Sequence, residues 1–258
     1  MKYALAANSY GPVDTRARDS MWKAVLLAER RGFHMTADLS VRDDHLIKGR
    51  NNVHRKVILD PKPDYEGVLW VDADIVIPHD AIARLLSHGK EWITGVYFKR
   101  GDEHEPILGE FYQQTTPRGL EWWSRFRRAF GPGNGLVKLE NGTCGMGFVY
   151  TSTNLLKTLP AVASKHAHDP GPFTKLPFIG EPGDDFSFAF RVMEQKEKAE
   201  EGMLCAEEDG ADPEYFHDLR EALNLWVDTD LLLGHLMESK PIGFEEFVAS
   251  AMEKGRIK

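Results

Sequence analysis

The chain of 258 residues contains only two cysteines, Cys144 and Cys205, which lie far apart in the sequence. This scarcity excludes a disulfide-stabilised scaffold and a cysteine-rich zinc site, and it favours a reducing compartment. The sequence also lacks a run of about 18 apolar residues, which a membrane-spanning helix needs. Its first residues hold no apolar stretch long enough for a signal peptide. We therefore expect a cytoplasmic protein without a membrane span, in the host cytoplasm if the source is viral.

The sequence also has fewer basic than acidic residues. The 32 lysines and arginines are outnumbered by 40 aspartates and glutamates, which gives a net charge of −8. The excess of acidic side chains comes from residues 181–258, which carry 20 acidic and 8 basic side chains. Binding of nucleic acid by bulk electrostatics needs a cluster of cations, so the overall balance speaks against it.

The hydrophobic pattern predicts an alternation of strands and helices. The chain begins with a short buried strand, a helix with apolar residues at 21, 24, 25 and 28, and a half-buried strand over 33–41. A continuous apolar strand at 68–71 follows, as in a strand covered on both faces. Asp80 is then predicted to cap a helix. This order implies an α/β fold with a mostly parallel central sheet, helices on both faces and a small antiparallel part.

We expect one domain over residues 1–258, with insertions near 101–135 and 194–220. The first insertion is predicted to be irregular, and it places Trp122 and Trp123 among several arginines, including Arg125, Arg127 and Arg128. Such a segment can stack bases or sugars and hold phosphates, or it can simply pack its tryptophans on the domain. The second insertion is acidic and is predicted to be solvated. A last amphipathic helix is predicted around residues 244–251.

Two Asp-x-Asp motifs occur, at residues 72–74 and 228–230. The first follows the apolar strand, and strand periodicity places Asp72 and Asp74 on the same side, at the edge where open α/β sheets bind ligands. Two carboxylates there suit a hard divalent cation, Mg²⁺ or Mn²⁺, that bridges to a diphosphate. The second motif begins a strand, and we predict a structural role for it.

The order of these segments resembles that of nucleotide-sugar-dependent glycosyltransferases with the Rossmann-like GT-A fold, close to the inverting type-2 family. The resemblance runs from about residue 4 to residue 236. Its pieces, in chain order, are the N-terminal β-α-β unit, Arg50-Asn51, VDADIVIPHD, ITGVYFKR, CGMGFVY, the GDDFSF block at 183–188 and Gly234-His235. Their order and spacing together carry the resemblance.

The resemblance implies a nucleotide diphosphate sugar as the donor, with Mn²⁺ or Mg²⁺ neutralising the leaving diphosphate. Asp74 matches the second acidic residue of the family motif and would ligate the metal. Asp72 would face the ribose, or the metal through water. His235 matches the histidine that often completes the metal shell, and imidazole is a reasonable Mn²⁺ ligand. The alternative is a histidine at the end of a strand whose ring bonds to the backbone.

The resemblance also implies a general base from an acidic pair that opens a helix, here Asp184 and Asp185. In inverting members the second acid takes the proton from the acceptor hydroxyl, which makes Asp185 the first candidate and Asp184 the next. Either carboxylate could instead cap the helix that follows.

Asn8 and Ser9, at the end of the first strand, lie where such enzymes usually hold the nucleotide base, although an ordinary turn is the alternative. Arg50 and Asn51 match a family pair near the donor, but an exposed helix would also carry them. Lys99 and Arg100 follow a strand that ends near the same cleft, where they could face phosphate or acceptor.

The predicted function is therefore metal-dependent transfer of a sugar to an acceptor hydroxyl on a glycan, a protein, a small molecule or modified DNA. Hydroxymethylated pyrimidines in phage DNA are one specific acceptor, suggested by the segment of tryptophans and arginines. A non-catalytic carbohydrate- or nucleic-acid-binding module is the alternative of another class. It would keep that segment but would not need Asp74, Asp185 and His235 together. A nucleotidyltransferase is disfavoured, because AANSYGPVD lacks a glycine-rich basic loop, and no phosphate-binding P-loop motif is present.

Overall fold

The computed structural model describes residues 1–9, 13–36, 41–42, 46–59, 64–97, 107–117, 119–125, 133–159, 171–173, 184–209, 213–237 and 240–241. Within these ranges, no helix combines the length and the apolar character needed to cross a membrane. The helix predicted around residues 244–251 lies outside the described residues.

Each of the first three helices is preceded by one or two strands, and from residue 92 to residue 152 the described elements are all strands. The helices are α1 (Thr15–Arg30), α2 (Leu46–Leu59), α3 (Ala81–Ser87), α4 (Thr153–Thr158), α5 (Asp184–Asp209) and α6 (Pro213–Ala222). The strands before residue 100 are β1 (Lys2–Ser9), β2 (His34–Thr36), β3 (Val41–Arg42), β4 (Gly67–Asp72), β5 (Ile75–Val76) and β6 (Trp92–Val96). The later strands are β7 (Leu108–Thr116), β8 (Gly119–Arg125), β9 (Leu136–Leu139), β10 (Gly142–Cys144), β11 (Phe148–Ser152), β12 (Leu225–Leu232), β13 (Gly234–Met237) and β14 (Lys240–Pro241).

The central sheet has the strand order β2-β1-β4-β11-β6-β12-β9, and β3 pairs with the far end of β1. Strand β1 is parallel to β2, β3 and β4, and β6 is parallel to β12. Strand β11 runs antiparallel to both β4 and β6, and β9 runs antiparallel to β12. The α/β class is thus confirmed, and the sheet is mixed because β11 in its middle and β9 at its edge run against the other strands.

Helices cover both faces of this sheet, as the sequence predicted. The side chains of β4 alternate between two hydrophobic clusters, because successive residues of a strand point to opposite faces. Leu69 and Val71 pack with residues of α1 and α3, among them Ala28 and Ile82. Val68 and Trp70 pack with residues of α2, α4 and α5, among them Val53, Leu156 and Phe188. The strand that leads to the first Asp-x-Asp motif is therefore buried on both sides.

The two helices on the first face differ in how they begin. Asp14 caps α1, since its side chain accepts a hydrogen bond of 2.7 Å from the Arg16 amide. Asp80 precedes α3 but makes no capping hydrogen bond, so the prediction that it caps this helix was wrong. Its backbone already has helix-like dihedral angles (φ −98°, ψ −1°), whereas a capping residue is usually extended.

The segment near 101–135 contains regular structure, which corrects the prediction of an irregular insertion. Strands β7 and β8 form a hairpin, and β10 joins β7 to complete a three-stranded antiparallel sheet. The hairpin packs on α5 through Phe111, whose ring centroid lies 4.5 Å from that of Phe186. Glycine and proline indicated turns here, but they did not reveal the pairing between the strands. The aromatic and basic side chains of β8 and of residues 126–128 lie outside the described residues.

The acidic segment near 194–220 is a helical hairpin. Helix α5 runs on to Asp209, and α6 packs back against it with an ion pair of 2.6 Å between Arg220 and Glu200. The buried Lys196 amine donates hydrogen bonds to the Glu140 carbonyl and to Asn224 Oδ1. One side of α5 is therefore held against the domain by a buried cation, although the segment as a whole is strongly acidic.

The second Asp-x-Asp motif lies within β12 and has a structural role. Asp228 is buried, and its carboxylate accepts hydrogen bonds from Arg84 Nη2 at 2.6 Å and from Arg84 Nε. His88 Nε2 lies 2.9 Å from the same carboxylate. Arg84 lies in the last turn of α3, and His88 is the residue that follows this helix. Asp228 therefore connects the C-terminal end of α3 to the sheet.

Replacing Asp228 by Asn is expected to lower the free energy of unfolding by about 1–3 kcal/mol near pH 7. Burial alone would raise the pKa of Asp228, but the hydrogen bonds from Arg84 and His88 outweigh it and hold this pKa below its usual value. The carboxylate therefore stabilises the fold above the pKa of the unfolded chain, and this stabilisation is lost as the pH falls through the folded pKa. Urea unfolding of both proteins at several pH values measures the effect.

Asp218→Asn is the matched control, since the Asp218 side chain is 79% exposed. We expect it to change the unfolding free energy by less than about 0.5 kcal/mol. A difference between Asp228→Asn and the unmodified protein that widens towards acid pH would contradict the assignment.

Candidate functional site

The first Asp-x-Asp motif forms a turn at the carboxyl end of β4. The strand ends at Asp72, and Ala73 and Asp74 turn the chain into β5. The prediction that strand periodicity relates the two aspartates was therefore wrong, because the chain leaves the strand between them. Both aspartates are half-buried. The motif thus presents two carboxylates from a turn that follows a fully buried strand.

Hydrogen bonds of the backbone hold this turn at both ends. The Asp72 amide donates to the Gly147 carbonyl at 2.8 Å, and the Leu236 amide donates to the Asp74 carbonyl, also at 2.8 Å. The first bond ties the turn to the glycine-rich segment between β10 and β11. The second ties it to β13, the strand that contains His235. The position of the two aspartates is consequently fixed by segments that are distant in the sequence.

A buried arginine contacts the first aspartate. Arg50 lies on α2 and is only 2% exposed, and its Nη2 donates to Asp72 Oδ1 at 3.0 Å. A buried guanidinium needs a compensating charge, which Asp72 supplies. The structure thus brings together two of the residues that the sequence predicted near the donor.

Asn51 has a different environment from its neighbour. It is fully buried, and its Oδ1 accepts a hydrogen bond of 3.1 Å from the Phe173 amide. The Phe173 ring packs edge-on against Trp70 of β4, with centroids 5.1 Å apart. Both Arg50 and Asn51 are buried rather than on an exposed helix face, and Asn51 holds Phe173 beside the sheet.

Asn8 and Ser9 end β1 next to the first motif. In the parallel pairing of β1 with β4, Asn8 is the register partner of Asp72. On the other side of β1, Asn8 and Ser9 pair with the two residues of β3. The backbone therefore places both residues at the carboxyl edge, as predicted, while their side chains are outside the description.

The histidine predicted as a metal ligand lies on β13, beside the motif. Strand β13 is antiparallel to β5, and His235 is the register partner of Ile75, the residue after Asp74. The side chain of His235 is not among those described. Lys99 and Arg100 lie wholly outside the described residues.

Tyr97 is a buried residue of this site that the sequence reasoning missed. It directly follows β6, and its phenol oxygen accepts a hydrogen bond of 2.7 Å from the Gly147 amide. The same glycine accepts the hydrogen bond from the Asp72 amide. A tyrosine directly after a buried strand was the available signal, because a buried phenol usually has a polar partner.

Asp185 is close enough to this cluster to influence it. Burial raises the pKa of Tyr97 well above its usual value, and the negative charges of Asp72 and Asp185 add to the increase. Burial followed by the charge of Asp185 likewise raises the pKa of Cys144. Asp185 is half-buried near the start of α5, and its Oδ1 accepts a hydrogen bond of 2.9 Å from the Phe186 amide. Helix α5 begins at Asp184, whose side chain is not described.

The donor atoms at the turn suit a hard cation. Two half-buried carboxylates can hold Mg²⁺ or Mn²⁺, which prefer oxygen ligands. The described side chains include no group of three or more His, Cys, Asp or Glu that could hold a metal ion. Because His235 is not among those side chains, the complete ligand set stays a prediction.

The comparisons with known proteins add no family assignment. No model of a protein family matches the chain, and no curated protein matches it. The assignment of a function therefore depends on the residues and on their arrangement.

Proposed function

We propose that the protein is a metal-dependent glycosyltransferase of the GT-A type, which moves a sugar from a nucleotide diphosphate sugar to an acceptor hydroxyl. The observation that carries the proposal is the turn from Asp72 to Asp74. It follows a buried strand at the ligand-binding edge of an α/β sheet, and β13 pairs beside it with His235 next to Asp74 in the register.

The donor side of the site is assigned to the Asp-x-Asp turn. A divalent cation held by Asp74, with His235 as a further ligand, would neutralise the charge that develops on the leaving diphosphate. Arg50 holds Asp72 from within the protein, and the Asp72 carboxylate would face the ribose, or the metal through water. Asn8, the register partner of Asp72 in the sheet, would contact the nucleotide.

The acceptor side is assigned to Asp185. The acceptor oxygen attacks the anomeric carbon, the bond from that carbon to the diphosphate oxygen breaks, and the nucleoside diphosphate leaves. The hydroxyl proton passes to the Asp185 carboxylate as the new bond forms. Attack on the face opposite the leaving diphosphate inverts the anomeric centre. The influence of both Asp185 and Asp72 on Tyr97 supports this assignment, because it indicates that the two carboxylates share one region.

A thermal-shift panel tests the proposal. UDP, GDP, CDP and dTDP are each added with Mn²⁺ and again with a chelator. A ligand at about 100 times its dissociation constant adds roughly 2.7 kcal/mol of stability. For a domain of this size that is an increase of about 5–10 °C in Tm.

The expected result is an increase with at least one diphosphate that the chelator abolishes. An increase that survives the chelator would favour a nucleotide-binding module without a metal. No increase with any diphosphate would contradict the proposed donor site.

A further inference from the structure

The residue that links the parts of this site is Tyr97. Its phenol oxygen accepts the hydrogen bond from the Gly147 amide at 2.7 Å, and the Gly147 carbonyl accepts the one from the Asp72 amide at 2.8 Å. Two consecutive hydrogen bonds therefore connect the buried Tyr97 side chain to the backbone of Asp72, the first aspartate of the turn. Gly147 is the single residue between them.

The Tyr97 ring also determines how closely the glycine-rich segment can approach. A Cβ atom added to Gly147 would lie 2.9 Å from Tyr97 Cε2, and one added to Gly145 would collide with the phenol oxygen. Real Cβ contacts are essentially never this short. Both glycines are therefore needed for the segment to lie on the ring, and the ring in turn supports the segment from inside the protein.

A third connection holds the Tyr97 backbone. Its carbonyl accepts a hydrogen bond of 2.9 Å from the Ile107 amide, and the Ile107 carbonyl accepts one of 3.1 Å from the Gly145 amide. The glycine-rich segment thus holds the Tyr97 side chain directly, and it is connected to the Tyr97 main chain through Ile107. A side chain with several such contacts is typical of residues that do not touch the ligand themselves but fix the residues that do.

We propose that Tyr97 is a positioning residue, which fixes the turn from Asp72 to Asp74 in the geometry that binds a metal–nucleoside diphosphate. The part of this inference that concerns the turn stands by itself, and the part that concerns the ligand rests on the proposed function. The role needs only a neutral phenol that accepts a hydrogen bond. Burial and the nearby carboxylates raise the Tyr97 pKa, so the phenol stays neutral over the ordinary assay range.

The test compares Tyr97→Phe with Tyr150→Phe. Tyr150 is a matched control, because it is also buried and its hydroxyl donates to the Glu66 carbonyl at 3.3 Å. Glu66 precedes the amino end of β4, whereas Asp72 is the residue at its carboxyl end. Each variant therefore removes one buried phenol oxygen, at opposite ends of the same strand.

Two measurements are made on each variant. The first is hydrogen exchange of the Asp72 and Gly147 amides, which we expect to become at least about tenfold faster in Tyr97→Phe alone, since the Gly147 amide loses its acceptor. The second is Mn²⁺ affinity, followed by electron paramagnetic resonance in an equal mixture of UDP, GDP, CDP and dTDP. We expect about tenfold weaker binding in Tyr97→Phe and unchanged binding in Tyr150→Phe.

The outcomes separate the two proposals. If the unmodified protein binds no Mn²⁺ with the nucleotides, the proposed function fails, and exchange alone decides whether Tyr97 fixes the turn. Equal exchange at Asp72 and Gly147 in the two variants would overturn the inference. Faster exchange in Tyr97→Phe together with unchanged Mn²⁺ affinity would overturn the part of the inference that concerns the ligand. Gly147→Ala, which forces the segment away from the ring, is expected to reproduce the Tyr97→Phe result.

Discussion

Replacing Asp74 by Asn is expected to abolish the Mn²⁺-dependent binding of nucleoside diphosphates, and sugar transfer with it. The substitution removes the negative charge that a hard cation requires and leaves a weaker amide oxygen in its place. The increase of about 5–10 °C in Tm expected for the unmodified protein should fall to about zero. Thermal shift with each diphosphate, with and without Mn²⁺, measures the loss.

The fold itself should not change in this variant. The Asp74 carbonyl, not its side chain, accepts the hydrogen bond from Leu236, so Asn keeps the connection between the turn and β13. Asn also has nearly the size of Asp and keeps a side-chain hydrogen-bond acceptor, so the Tm without ligand is expected to stay close to that of the unmodified protein. A lower Tm without ligand would make the loss of binding uninformative about the metal, and urea unfolding distinguishes that case.

Asp230→Asn is the matched control, because Asp230 is the second acid of the other Asp-x-Asp motif. Its side chain is 42% exposed, and its Oδ1 accepts a hydrogen bond from the Gly133 amide at 2.7 Å. We expect full Mn²⁺-dependent binding in this variant. Equal binding in Asp74→Asn and Asp230→Asn would exclude Asp74 as the metal ligand.

Replacing Asp185 by Asn is expected to reduce turnover by about 10²–10⁴-fold while the affinity for the metal–nucleoside diphosphate stays unchanged. Asn cannot accept the proton of the acceptor hydroxyl, but it keeps the size of the side chain and an oxygen that can accept the Phe186 amide hydrogen bond. The rate of nucleoside diphosphate release with acceptor present gives the turnover. Calorimetry with Mn²⁺ and the diphosphate gives the affinity.

Glu194→Gln is the control on the same helix. Glu194 lies nine residues further along α5, about 13 Å along the helix axis. It is half-buried, like Asp185, so the two substitutions remove one negative charge each in comparable surroundings. Full turnover is expected in Glu194→Gln. Full turnover in Asp185→Asn would remove that residue from the proton transfer.

The sequence predicted the layers of the fold from local patterns. The apolar stripe of α1 and the continuous apolar run of β4 each report burial along one element, and both are buried in the structure. Such burial follows from the spacing of apolar residues within one element, so the sequence predicts it without information on which elements pack against each other. The reversal of β11 and the β7–β8 hairpin depend on pairing between distant segments, and no local pattern encodes that register.

The candidate site, too, was predicted only in part from the sequence. The sequence alone indicated a pair of carboxylates after a buried strand, and it separated the first Asp-x-Asp motif from the second by their flanking residues. Only the tertiary structure decided what surrounds each motif: Arg50 and the Gly147 segment at Asp72, and Arg84 and His88 at Asp228. These partners lie from 22 to 144 residues away along the chain. Charge and hydrogen-bond compensation of a buried carboxylate acts through space, and so the residues that determine the role of each motif are set by the fold.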